Sequence, residues 1–107
     1  MDKKLLEPIL KVISNEFFRV LGDQVNRILL YSSYARGEAK PDFDLDILVV
    51  INGEVGYPAL IRQTSELVSR ISLENELVIS RVFTSKARFE TECSPFMINV
   101  RQEGIDI

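Results

Sequence analysis

Asp44 and Asp46 are the residues most suited to chemistry, and they open the run Asp44-Leu45-Asp46-Ile47-Leu48-Val49-Val50-Ile51. The run predicts a strand. Side chains alternate across a strand, so both carboxylates point to one face, roughly 6.5–7 Å apart at Cα. Leu45, Ile47, Val49 and Ile51 fill the opposite face, while Leu48 and Val50 continue the Asp face as apolar residues. Such a strand has a polar mouth and a buried tail. Two neighbouring carboxylates repel, and burying them unpaired is costly. A hard divalent cation such as Mg²⁺ would relieve this, because it takes one or two carboxylates and completes its shell with water and phosphate oxygens. The plainer alternative is a strand start with both carboxylates in water.

The residues upstream favour the metal. Ser32-Ser33-Tyr34-Ala35-Arg36-Gly37 follows the apolar run Ile28-Leu29-Leu30-Tyr31. Ser32 or Ser33 can cap a short helical turn. The free N–H groups and positive dipole end of such a turn favour phosphate. The Ser33 hydroxyl adds a donor, and Gly37 lets the chain leave with positive φ. Lys40-Pro41-Asp42-Phe43 then leads into the carboxylate strand. A phosphate cradle followed closely by a metal-binding pair is far less expected by accident than either feature alone.

The stretch from Tyr31 to Val50 resembles the nucleotidyltransferase signature of the polymerase-β-like superfamily, G-S-x-A-R-G followed by a short loop and S-D-x-D-[IL]. It is most similar to the small "minimal nucleotidyltransferase" branch. Ser33, Arg36, Gly37, Asp44 and Asp46 match the signature. Ser32 replaces the first glycine, and Phe43 replaces the serine before the first aspartate. The Ser-Pro-Phe start of the last helix and the Glu-Gly-Ile near the end also resemble that branch.

The resemblance implies an α/β (α+β) nucleotidyltransferase fold, with a small three-stranded mixed sheet, flanking helices and the order αβαβαβα. It implies Mg²⁺ or Mn²⁺ on Asp44 and Asp46. Ser32, Ser33, Arg36 and Gly37 would form the nucleotide-binding turn, and ATP would be the substrate. The superfamily often has a third carboxylate on the strand after the crossover helix, and Glu76 is the candidate here. A chain this small has no room for an acceptor-binding domain. The branch therefore implies a partner, a small all-helical protein of the HEPN family, within a toxin–antitoxin pair.

Composition narrows the rest. The chain has 107 residues, 46% of them hydrophobic, so a single domain over 1–107 with one core is expected. The formal net charge of −3, with no basic stripe, argues against broad nucleic-acid binding. The absence of His and the single Cys93 leave no ligand set for a Cys/His zinc site and no internal disulfide. Apolar residues after Lys3-Lys4 are soon interrupted by Glu7, Pro8 and Lys11, which is not a signal-peptide layout. No apolar run approaches the ~20 residues of a membrane span. Cytoplasm is the default expectation.

The elements that must hold the site read as follows. Lys3–Leu21 shows apolar residues at three- and four-residue spacing, a helix that Gly22 stops. Phe17 belongs to the core and Phe18 to its boundary. Val25–Tyr31 is the first strand. After the turn-rich Asn52–Gly56, a helix runs from about Pro58 to Leu73, then a strand from Glu76 to Thr84. Strand, helix, strand predicts a parallel crossover, which would set Glu76 at the sheet end that carries Asp44. Ser85 caps a short helix. Ser94, Pro95 and Gly104 bracket a last one. Ile105-Asp106-Ile107 is a terminal extension that could form an edge strand.

Two functions are expected from this reading. The first is metal-dependent transfer of a nucleoside monophosphate from an NTP to a hydroxyl, on a partner protein. The alternative is a catalytically decayed nucleotide-binding or antitoxin subunit acting through the helical partner. A plain structural module is the third possibility.

Overall fold

The computed structural model describes residues 3–31 and 44–107. Helix α1 (Lys3–Leu21) leads through a 3-10 turn at Gly22–Gln24 into strand β1 (Val25–Leu30). Strand β2 (Asp44–Ile51), helix α2 (Tyr57–Asn75) and strand β3 (Val78–Ser85) follow. Helices α3 (Lys86–Thr91) and α4 (Pro95–Glu103) and strand β4 (Ile105–Asp106) complete the chain. The helical turn expected at Ser32 and Ser33 lies outside the described residues.

The sheet has the order β3-β2-β1-β4. Strand β1 pairs antiparallel with β2, and β2 pairs parallel with β3 across the α2 crossover. The three expected strands form its body as a mixed sheet. The terminal extension adds a fourth, antiparallel to β1, with Leu29 opposite Asp106. This short strand is secured well beyond its own ladder. Ile107 N–H donates to the Ile28 carbonyl at 3.0 Å, and the Ser14 hydroxyl donates to the Ile107 carbonyl at 3.2 Å. The Arg27 guanidinium grips the Asp106 carboxylate with bonds of 2.9 and 2.7 Å and lies 5.0 Å from the Phe89 ring centre.

Alternation along β2 divides the interior in two. Leu45, Ile47, Val49 and Ile51 join a cluster with Ile13, Phe17 and Leu21 of α1 and with Leu60, Leu67 and Ile71 of α2. Leu48 and Val50 join a smaller cluster with Leu29, Phe89, Met97 and Val100. Helices α1 and α2 therefore cover one face, and α3 and α4 cover part of the other. Glu16 of α1 pairs with both Arg19 and Arg70, which ties α1 to α2. On β3, Arg81 donates to the Thr64 hydroxyl at 2.8 Å and the Ile61 carbonyl at 3.2 Å, clamping α2 to the sheet edge.

The caps follow the sequence. Ser85 accepts from Arg88 N–H, and Ser94 accepts from Met97 N–H ahead of Pro95. Pro8 lies inside α1. Gly104 ends α4 with φ −65°, so left-handed backbone is not the reason for glycine there. A Cβ at that position would stand 2.5 Å from the Val100 carbonyl oxygen and 3.1 Å from Leu29 Cδ2. Close packing at the α4–β4 corner requires the missing side chain.

Helix α2 runs longer than expected, and β3 begins later. Glu76 is the left-handed cap of α2, with φ 51°, rather than the first residue of the strand. Its backbone N–H closes the helix on the Ser72 carbonyl.

Candidate active site

Strand β2 presents its polar end where the sheet opens to solvent. Asp44 is exposed and Asp46 is half-buried, while every residue from Ile47 to Ile51 is buried. The tail anchors the strand in both clusters, so the mouth can carry charge without forcing it into the core. Both carboxylates project on the face that α3 and α4 cover further along. Two hard oxygen donors at one solvent-facing strand end suit a divalent cation that keeps part of its shell for water and phosphate. Among the described residues, no three His, Cys, Asp or Glu side chains are grouped to hold a metal by themselves.

Register defines the neighbours of the pair. On the β3 side, Val78 stands beside Asp44 and Ser80 beside Asp46, both exposed. Strand β3 contains no carboxylate. Glu76 lies two residues before Val78, at the same sheet end and exposed, but on the helix cap. Ser32, Ser33, Arg36 and Gly37 lie outside the described residues.

On the β1 side, Tyr31 N–H donates to the Asp46 carbonyl at 3.0 Å. The Tyr31 ring packs on the smaller cluster and meets Phe96 of α4 edge-to-face, with centroids 5.2 Å apart. Burial pushes the Tyr31 hydroxyl pKa up from its usual 10.0 to about 12, with the Asp46 and Tyr57 charges adding to the rise. The phenol is thus a neutral hydrogen-bonding group at physiological pH. Tyr31, Phe96, Asn99, Val100 and Glu103 line a cleft of about 130 Å³.

These α4 residues were not singled out from sequence. The available signal was the spacing of Phe96, Asn99 and Glu103, which places an aromatic and two polar groups on one stripe of the helix.

The raised Tyr31 pKa has a stability consequence. The folded chain holds this proton more tightly than the unfolded chain. The resulting stabilisation is complete below pH 10 and declines as pH rises from about 10 towards about 12. Denaturant midpoints measured across that interval should fall less steeply for Tyr31→Phe than for the native protein. Tyrosinate absorbance should show one late-titrating phenol missing in the variant.

The mixed sheet thus carries an acidic pair at the start of a buried interior strand. Residues 12–103 match the nucleotidyltransferase domain family. The chain belongs to that family, in agreement with the signature read from its residues. It is 26% identical over 99 residues to Putative protein adenylyltransferase MJ0141 of Methanocaldococcus jannaschii, covering 92% of this chain and 95% of that protein. It is 32% identical over 82 residues to Putative protein adenylyltransferase MJ0604 of the same organism, covering 76% of each. In fold it is similar to a chain in the crystal structure of a mutant of the toxin–antitoxin MntA-HpeT. The TM-score is 0.56 at 20% identity, over 91% of this chain and 68% of that one. Among the described residues, no helix is long and apolar enough to cross a membrane.

Proposed function

We propose that this protein is a metal-dependent nucleotidyltransferase that moves AMP from ATP to a hydroxyl group on a partner protein. The observation that carries the reading is the paired carboxylate mouth of β2, set in a chain of the nucleotidyltransferase family. The names of the two archaeal relatives support ATP as donor and protein as acceptor. The toxin–antitoxin neighbour in fold and the names of the archaeal relatives support a partner, for which a helical HEPN-type protein is our candidate. Cytoplasm is the compartment in which we place the pair.

Asp44 and Asp46 hold Mg²⁺ or Mn²⁺ in this mechanism. The bound cation supplies charge neutralisation at the phosphates and a lowered pKa for the attacking hydroxyl. In this proposal Ser32, Ser33, Arg36 and Gly37 are the nucleotide-binding residues, with Ser33 a donor to the distal phosphates and Arg36 a counter-charge. Glu76 stands at the rim of the same sheet end, where it can accept the acceptor's proton. Catalysis is positioning and electrostatic stabilisation, with little covalent work by the protein.

One observation favours a second reading. The β3 positions beside the aspartates are Val78 and Ser80, so the strand offers no third carboxylate. A nucleotide-binding or antitoxin subunit without transfer would tolerate this. The two readings separate on incubation with ATP labelled at the α-phosphate, Mg²⁺ and a co-purified partner. Label on the partner with release of pyrophosphate is expected. Bound ATP with no label transferred would favour the decayed subunit.

A further inference from the structure

Beside the carboxylate mouth lies the cleft between Tyr31 and α4, to which the proposed phosphate and metal contacts assign nothing. We propose that this cleft seats the adenine of the donor nucleotide, with Asn99 and Glu103 reading its hydrogen-bonding edge. The inference rests on the nucleotidyltransferase reading and names the specificity residues of that site.

Size is the first argument. A cleft of about 130 Å³ is well below the ~300 Å³ at which pockets begin to enclose a whole small molecule. It takes one ring system and leaves the rest of the ligand outside. Position is the second. Tyr31 lines the cleft, bonds through its backbone to the Asp46 carbonyl, and immediately precedes Ser32 and Ser33. A base held here lies beside Asp46, with its phosphates directed to the carboxylate mouth.

Chemistry is the third. Phe96 is 40% exposed and held edge-to-face against Tyr31, which gives the cleft aromatic walls. An ionised glutamate only accepts hydrogen bonds, whereas an asparagine amide both donates and accepts. Adenine offers an amino donor next to a ring-nitrogen acceptor. Glu103 takes the amino group, and the Asn99 amide donates to the ring nitrogen. A hydroxyl-bearing side chain of the acceptor would use one such group and leave the other without a partner.

The test measures Mg²⁺-dependent binding of three ligands: a non-hydrolysable ATP analogue, the matching purine-riboside analogue that lacks the amino group, and tripolyphosphate. Native protein should prefer the adenine ligand about tenfold, the size of one lost hydrogen bond to a charged group. Glu103→Gln should reduce that preference. Asn99→Leu should weaken both nucleosides about tenfold. Neither variant should change tripolyphosphate binding. Equal binding of the adenine and purine ligands by native protein would overturn the proposal. So would variants that keep full ATP affinity but lose partner binding, which would assign the cleft to the acceptor. If native protein binds none of the three, the nucleotidyltransferase reading fails and this inference with it. Native binding of tripolyphosphate with no gain from a base would sink the inference alone.

Discussion

Replacing both carboxylates, Asp44→Asn with Asp46→Asn, is expected to abolish Mg²⁺-dependent binding of a non-hydrolysable ATP analogue and leave a folded protein. The substitution keeps side-chain size and removes two negative charges from the strand mouth. The residues that anchor β2 run from Ile47 to Ile51, and none of them is touched. Asp46→Asn alone should lower any transfer rate by roughly 10²–10³-fold or more, the range seen when one preorganised electrostatic group is removed. The Tyr31 bond to position 46 uses the backbone and survives the change. Titration calorimetry with parallel circular dichroism checks both halves. An unfolded variant would show that the charges have a structural role, and unchanged metal-dependent binding would remove the aspartates from the site.

Phe17→Ala should have the largest effect on stability. Phe17 is completely buried in the cluster where α1, the sheet and α2 meet. Truncating a buried phenylalanine costs about 3–5 kcal/mol. That is a large part of the ~5–15 kcal/mol that holds a domain together. The melting temperature should fall by more than about 10 °C. The neighbouring Phe18→Ala is the control. Phe18 is 41% exposed, so its truncation should cost far less. Equal losses at the two positions would contradict the packing described for α1.

The contrast at positions 17 and 18 was legible in sequence because helical periodicity assigns one phenylalanine to the core stripe and the next to its edge. The two faces of β2 were equally legible, since strict alternation fixes them once the strand is recognised. Ser85, Ser94 and Pro95 carried their own capping chemistry. Glu76 was harder. Its neighbours Leu77 to Ile79 look like strand, so the carboxylate looked like strand too. The structure instead continues α2 to Asn75 and turns the chain through a left-handed residue at Glu76. Glycine or asparagine is the usual signal for that conformation, and glutamate gives none.

Tyr31 illustrates a different limit. Its place at the end of an apolar run was plain, but its partner Phe96 is far along the chain. Only the packing of α4 against β1 brings the rings together and creates the cleft. The reason for Gly104 was hidden in the same way, because the crowding atoms belong partly to Leu29 on another element. The phosphate turn expected at Ser32, Ser33, Arg36 and Gly37 lies outside the described residues and remains a reading of the motif.

The two strands beside Asp46 also differ in when they can arrive during folding. The antiparallel partner β1 is separated from β2 by a short length of chain, whereas the parallel partner β3 comes only after the whole of α2. Contacts closed by short loops cost less entropy and form sooner. The β1–β2 pair can therefore take shape in a nascent chain, while the β3 wall waits for α2 to dock and the aromatic cleft waits for α4. A newly made protein would acquire its metal-facing strand before the wall that completes it, so assembly of the site is a late event governed by the crossover helix.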